Sequence, residues 1–407
     1  MKQCWEQVAG GVTAPQGFRA AAVRCGLRQA EANDLGLLVC DSQGSAAATF
    51  TTNRVAAAPV RWSRATIAKG KVRAAVVNSG NANACTGARG LRAVEATAAK
   101  AAELLGLTPD NFLIASTGII GRYLPVEKLL AGLPRAVDAL DGSLEAGERF
   151  ARAILTTDTT LKQAALRCDL GGGACVTLGG ATKGAGMIAP GMATTLSFLT
   201  TDAAVARPLL QRMLRRAVEL TYNRISIDEH MSTNDTVLCL ASGLAEARPV
   251  RDGTPAARRF EGALTELCRI LALKIVADGE GATRLVRVEV VRAPSEQAAV
   301  AAARAIADSP LCKCALHSGD PNWGRFVSAA GYACPQLDEA KTRLFIGGKL
   351  AYAAGAPADV TEAELAAEMA GRDVTLRLDL GLGKAKATVW TCDLSKEYVA
   401  INADYHT

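Results

Sequence analysis

The densest collection of chemistry-bearing residue types lies in LGGATKGAGMIAPGMATT (178–195), which sets several glycines beside Lys183 and paired threonines. A phosphate loop of the Walker type needs Gly-Lys followed by Ser or Thr, so that backbone amides encircle phosphate and the hydroxyl holds magnesium. Lys183 is followed by Gly184, so that template fails, and no complete G-x-G-x-x-G follows a strand pattern. Histidine chemistry has little to draw on: the chain carries only His230, His317 and His406, and no G-x-S-x-G elbow. Each histidine fits a surface or hydrogen-bonded structural role as well as a catalytic one. A triad gathered from distant positions stays open.

The same stretch offers a base that is not histidine. The Gly/Pro turn of GMIAPGMA runs directly into TTLSFLTTD (194–202), which reads as a strand. If the Ala193–Thr194 peptide bond breaks, Thr194 becomes a new N-terminus with its α-amine beside its own hydroxyl. An α-amine titrates near ~7.7–8.0, far closer to neutrality than a lysine amine, so it can take the hydroxyl proton at working pH. That is the N-terminal-amine form of an activated threonine nucleophile. Most threonines in such a string are merely strand residues, so on the residues alone the ordinary reading stands ahead of the nucleophile.

Elements able to position such a site are legible on either side. Amphipathic helices are expected over 91–106, 143–158, 205–222 and 254–276, and β-branched runs over 73–80, 111–117, 174–180, 194–202 and 235–243 read as strands. This alternation argues for an α/β or α+β layered core. Beyond residue 283 the texture changes. TRLVRVEVVRA (283–293) reads as a strand, 295–310 as a helix, and DVTLRLDLGLGKAKATVWTCDL as a hairpin turning at GLGKAK. A boundary is expected near 285, dividing a catalytic core (1–285) from a smaller C-terminal lobe (286–407).

Composition excludes several classes. Hydrophobic residues make up 49% and charged residues 21%, which is incompatible with wholesale disorder. The excess of 46 basic over 40 acidic residues is scattered, and aromatics are only 4%, so no nucleic-acid surface is indicated. No run of apolar residues is long enough for a membrane span, and MKQCWEQVAGGVTAP lacks the apolar core of a secretory signal, so a soluble cytoplasmic protein is expected. The 12 cysteines lie mostly inside apolar runs and read as buried thiols. Cys312 and Cys314, with His317 beyond, are closely spaced but lack the second ligand pair a zinc site needs. No metal and no cofactor are expected.

Many motifs in fixed order carry a resemblance. GVTAPQGFRAAAV (11–23), TFTTNRVAAAPV (49–60), AVVNSGNANACTG (75–87), ASTGIIGRYLP (115–125), ILTTDT (154–159), KGAGMIAPGMATT (183–195), STNDTVL (232–238), DGEGATR (278–284), GDPNWGR (319–325) and YVAINADYHT (398–407) follow one another along the chain. In these the sequence resembles the ornithine acetyltransferase family, the bifunctional glutamate N-acetyltransferases of arginine biosynthesis.

The resemblance implies a precursor that cuts itself between Ala193 and Thr194 into an α chain (1–193) and a β chain (194–407) that stay associated, as an (αβ)2 heterotetramer. Thr194 would take the acetyl group of N-acetylornithine as an ester, release ornithine and pass the acetyl to glutamate in a ping-pong cycle. Acetyl-CoA is a further donor for some members. The implied fold is a layered α/β sandwich similar in outline to N-terminal-nucleophile hydrolases, with different strand connections. Thr117 and Gly118 match the family's oxyanion-hole pair, and Thr157, Lys183, Glu280, Asn402 and Thr407 match its substrate contacts. Without the resemblance, Thr117-Gly118 would read as a strand-to-turn corner and Glu280 as a solvated acid in a Gly loop. Asn402 and Thr407 imply that the chain end folds back onto the Thr194 site.

The sequence departs from the family pattern at Gly191 and Thr195, at Glu229-His230 where Gly-Asp is usual, and at His317 near a usually apolar position. None removes a reacting group, but together they bear on substrate preference. The competing readings are an N-terminal-nucleophile aminopeptidase or amidohydrolase on a related fold, a secondary-metabolism acetyltransferase paralogue, and a non-catalytic metabolite-binding paralogue.

Overall fold

Strands buried along their whole length set the architecture. In Leu35–Cys40 and Thr236–Ala241 every position is buried, so both faces of their sheets must be covered. The computed structural model describes residues 4–28, 31–189 and 195–404. A six-stranded sheet runs in the order Trp5–Val8, Gln163–Gly171, Ala174–Lys183, Leu196–Thr201, Thr236–Ala241, Ser45–Phe50. A four-stranded sheet runs Phe18–Val23, Leu35–Cys40, Ala74–Asn78, Phe112–Ser116.

Side-chain alternation assigns the layers. Leu196, Phe198 and Leu238 of the larger sheet pack with Ala75, Leu113 and Leu38 of the smaller one, so the two sheets lie face to face. Leu199 and Cys239 point the other way, onto the helices Arg207–Leu220 and Pro255–Ala277. On the far side, Leu37, Val76 and Ile114 pack on Ala58–Ala68, Gly87–Leu105 and Val126–Asp138. The result is a helix–sheet–sheet–helix α/β sandwich, as the alternation of patterns led us to expect. Local chemistry supports the helices: Thr254 accepts from Ala257 N to cap Pro255–Ala277, and Gly106 at φ 64° closes Gly87–Leu105 in the left-handed conformation.

A third sheet, with its own apolar cluster, makes a smaller α/β lobe. Val286, Val288, Leu376 and Val389 pack against the helices Glu296–Asp308, Pro310–Ser318 and Trp323–Ala333. Here one expectation fails. Asp373–Asp379 and Ala385–Cys392 do not pair as a hairpin, because Leu285–Ala293 lies between them, parallel to the first and antiparallel to the second. The GLGKAK connection instead crosses the end of that central strand, with Leu380 N donating to Val291 O, and Leu382 N and Gly383 N donating to Arg292 O. Arg292 and Arg343 both grip Asp379 at the corner. Period-two alternation fixes which face a residue occupies but not which strand lies beside it.

Among the described residues no helix is long and apolar enough to cross a membrane.

Candidate functional site

At one end of the sandwich, the seam between the two sheets gathers residues from distant parts of the chain. Phe112–Ser116 delivers Thr117 and Gly118, and Ala174–Lys183 ends on Lys183. The loop after Leu144–Ala153 brings Thr157, the turn after Pro255–Ala277 brings Glu280, and the last helix, Lys396–Asp404, brings Asn402. These six line one cavity of about 150 Å³, together with Gly186, Met187 and Asn234 among others. Ala193 and Thr194, with Gly191, lie outside the described residues, as does Thr407. The segments flanking the first three are described: Met187 and Gly186 line the cavity, and Thr195 directly precedes the strand Leu196–Thr201.

The Thr117-Gly118 corner is held by an asparagine-rich loop. Thr117 N donates to Asn78 O at 2.9 Å, which leaves the hydroxyl as the donor Thr117 can offer the cavity. Ser116 Oγ donates to Asn78 Oδ1 at 2.6 Å, and Asn78 Nδ2 donates to Asn81 O at 2.9 Å. Gly118 sits at φ 130° with its Cα against the backbone of Gly80 and Asn81, so that a Cβ there would lie 2.4 Å from Gly80 C. Only glycine fits that approach.

Opposite lies a charged wall. Lys183 is 4% exposed, and burial lowers its pKa, while Asp158, Asp235 and Glu280 pull it back up. Asp158 is itself buried. Burial alone would raise its carboxyl, but Lys183 and Lys162 hold it at about 2. Lys162 Nζ bridges Asp158 (2.6 Å) and Asp278, and Asp278 also accepts from Thr159 N at 3.0 Å and Thr160 N at 3.2 Å. Sequence reading passed over this buried triad, although Asp158 and Lys162 stand four residues apart and Asp158 lies inside the quoted ILTTDT motif. Glu280 completes the wall. Its carboxylate occupies the space that a Cβ on Gly186 would need, 2.5 Å away, and it accepts from Asn402 Nδ2 at 2.8 Å.

The chain end is tied in a second way. Tyr398 Oη donates to Asp228 Oδ2 at 3.1 Å, and the same carboxylate accepts from Met187 N (2.6 Å) and Ile188 N (2.8 Å). Asp228 thus joins the last helix to the segment that precedes residue 190.

The departures from the family pattern are placed as follows. Thr195 is buried and donates from Oγ1 to Lys183 O at 3.0 Å. Glu229 and His230 are exposed, and Glu229 holds φ 58°, a conformation suited to glycine. His317 Nδ1 pairs with Asp393 Oδ2 at 2.6 Å, and Asp393 accepts in turn from Thr283 N and Arg284 N, just beyond Glu280. Cys312 is buried while Cys314 is exposed, since positions two apart face different ways on the helix Pro310–Ser318. Seven of the 12 cysteines are buried and all are free. Among the described residues no cluster of three or more His, Cys, Asp or Glu is placed to hold a metal ion.

Comparison with known proteins places the chain among close relatives. The ArgJ family model matches residues 19–407. The "Arginine biosynthesis bifunctional protein ArgJ" of Symbiobacterium thermophilum is 44% identical over 404 residues, covering 99% of this chain and 100% of that one. The crystal structure of the arginine biosynthesis bifunctional protein argJ of Bacillus halodurans is similar at 37% identity and a TM-score of 0.50, covering 51% of this chain and 98% of that one. The ornithine acetyltransferase of Mycobacterium tuberculosis, complexed with ornithine, is 41% identical with a TM-score of 0.43, covering 46% of this chain and 98% of that one.

Proposed function

The chain belongs to the ArgJ family, and from that premise we propose that it is a self-processing acetyltransferase of arginine biosynthesis that moves acetyl from N-acetylornithine to glutamate through Thr194. The observation that carries the reading is the convergence of Thr117, Gly118, Thr157, Lys183, Glu280 and Asn402 on one cavity.

Each group has a physical task. Cutting the Ala193–Thr194 bond frees the Thr194 amine, which takes the proton from Thr194 Oγ as that oxygen attacks the acetyl carbon. Negative charge then develops on the acetyl oxygen, where the Thr117 hydroxyl and Gly118 amide are the donors. Such preset donors are worth about 2.7–4 kcal/mol each. When the tetrahedral adduct collapses, the C–N bond to ornithine breaks, the departing nitrogen takes the proton, and acetyl remains as an ester on Thr194. Glutamate's amine attacks that ester and the sequence runs in reverse. The Lys183 ammonium pairs with the amino-acid carboxylate and Glu280 with ornithine's side-chain ammonium, both as charge-assisted contacts. Thr157, Asn402 and Thr407 complete the substrate contacts.

Strand order explains why the halves would hold together after the cut. Leu196–Thr201 and Thr236–Ala241, both beyond residue 194, are flanked by Ala174–Lys183 on one side and Ser45–Phe50 on the other. Separating the halves would break two strand ladders. The Bacillus halodurans chain, covered almost whole by about half of this one, agrees with a mature protein made of two pieces. Assembly as (αβ)2 in the cytoplasm is part of the same proposal.

Denaturing mass spectrometry should find two fragments, the second beginning at Thr194, and ornithine release from N-acetylornithine should be strongly stimulated by glutamate. An intact chain with full transferase activity removes the mechanism. Release that ignores glutamate means that water is the acceptor, as in an amidohydrolase. Parallel assays with N-acetylornithine and acetyl-CoA establish whether the second donor is used.

A further inference from the structure

The STNDTVL segment (232–238) supplies no group to the chemistry above, yet two of its consecutive side chains bond to the backbone on either side of the site: Asn234, which lines the cavity, and Asp235, which is buried behind it. Asn234 is 5% exposed, and its Nδ2 donates to Ser116 O at 2.8 Å and to Ala82 O at 2.7 Å. Ser116 is the residue before Thr117, so Asn234 holds the corner that carries both oxyanion donors. Asp235 is fully buried, and its Oδ1 accepts from Thr195 N at 3.0 Å. Thr236 N adds a bond to Thr195 O at 2.9 Å, and Asp235 O accepts from Thr51 N at 3.0 Å.

The amide held by Asp235 is the one that joins residues 194 and 195. A peptide unit is planar and rigid, so a group that holds the N–H of Thr195 restrains the backbone that leads into it. The anchors for the oxyanion donors and for the nucleophile are therefore linked by one peptide bond, whose Cα atoms stand about 3.8 Å apart.

We propose that Asn234 and Asp235 are a positioning pair that sets the separation between the Thr117-Gly118 donors and Thr194. The proposal rests on the transferase reading above and deepens it. Neither residue takes part in bond making: Asn234 acts through Ser116 and Asp235 through Thr195. Their chemical requirements are opposite. Asn234 must donate twice, which a carboxylate cannot do. Asp235 need only accept, and its second oxygen has no hydrogen-bond partner among the described residues. Burial pushes this carboxyl well above the usual carboxylate range, so a neutral amide is a close substitute.

The test is a reciprocal swap in the processed enzyme. Cleavage is read by denaturing mass spectrometry, folding by thermal midpoint, and acetyl transfer from N-acetylornithine to glutamate as kcat and KM. Asn234→Asp and Asp235→Ala are expected to lower kcat about 100-fold, the usual scale for a misplacement of about 1 Å, with KM for N-acetylornithine within about threefold. Asp235→Asn is expected to rescue most of the rate lost in Asp235→Ala. Where Asn234→Asp does not fold, Asn234→Ser leaves one donor and carries the same expectation. Wild-type kcat in Asn234→Asp or Asp235→Ala overturns the pairing. So does an Asp235→Asn variant as impaired as Asp235→Ala, or a loss that appears wholly in KM. The wild type is measured first and tests the transferase reading by itself. If it cuts and transfers while the variants match it, only the pairing falls.

Discussion

Replacing Gly118 by Ala puts one methyl group where the backbone leaves no room. Its Cβ would lie 2.4 Å from Gly80 C and 2.5 Å from Asn81 N, against an ordinary carbon contact of about 3.5–4.0 Å. The loop must therefore open by about 1 Å. Overpacking of this kind costs about 1–3 kcal/mol, and an L-residue held at φ 130° adds about 1–3 kcal/mol. A loss of about 2–6 kcal/mol leaves most domains folded but fragile. Activity should suffer separately, because the displaced atoms are the proposed oxyanion donors, and a shift of that size costs about 100-fold in kcat. Gly87→Ala is the matched control: its φ is 54°, but nothing lies within 4 Å of the added Cβ. It should lose about 1–2 kcal/mol and none of its activity. Thermal midpoints and steady-state acetyl transfer on both variants decide the matter. A Gly118→Ala enzyme with wild-type kcat would show that this corner does not stabilise the transition state.

Other outcomes follow from the charged wall and the strained backbone. Lys183→Met should raise KM for N-acetylornithine about 10- to 100-fold, equivalent to a lost charge-assisted bond of about 1.5–3 kcal/mol, without lowering the thermal midpoint. The reason is the sign of its shift: a lysine with a depressed folded pKa destabilises the fold at every pH below its unfolded value. The wild type's KM should accordingly begin to climb at a lower pH than an exposed lysine would dictate. Asp158 has the opposite sign. Its carboxyl falls from 3.8 to about 2 on folding, so its contribution is complete above pH 4 and fades as pH drops through about 2, which an acid-unfolding curve will register. Lys162→Met removes the ammonium that bridges the buried Asp158 and Asp278 and should cost about 3 kcal/mol by denaturant titration, the low end of the range for a broken buried pair because Lys183 still faces Asp158. Glu229→Gly should stabilise the fold by about 1 kcal/mol by relieving a φ of 58° at an exposed position.

How far the sequence could be read depended on what each pattern encodes. The layered α/β core was legible because runs such as LGLLVC and TVLCLA demand cover on both faces. The pairing of Asp373–Asp379 was not, since alternation is satisfied by any neighbour of the right face, and the intervening strand arrives from residues 285–293. Within the site, Lys183, Glu280 and the Thr117-Gly118 corner were found through motif resemblance. Their gathering into one cavity depends on contacts far apart in sequence, such as Glu280 with Asn402, that no local spacing announces. The buried Asp158–Lys162–Asp278 triad had a faint signal in its four-residue spacing, but its third member lies 116 residues from the lysine. Asn234 and Asp235 stood inside a quoted motif without a role, because an asparagine that donates to backbone carbonyls leaves no mark in its neighbours' side chains.

Several features unfavourable to folding lie close together around the site. Gly118 stands at φ 130° and Met187 at φ 57°, Lys183 holds a charge that burial opposes, and Asp235 keeps a buried oxygen without a hydrogen bond among the described residues. All but Asp235 line the one cavity, and Asp235 accepts from the first described residue after the expected cut. Local rules of conformation and polar satisfaction are broken where function requires a geometry that folding alone would not select. The stabilising contacts compensate from the periphery: the Asp158–Lys162–Asp278 bridges on one side, and Asp228 with Tyr398 on the other. On this reasoning, substitutions that relax the cavity wall should hold or raise stability while lowering kcat/KM, whereas those in the surrounding ion pairs should lower stability first. Lys183→Met and Lys162→Met separate the two cases in one experiment. If both variants merely unfold, the strain around the cavity has no connection with catalysis.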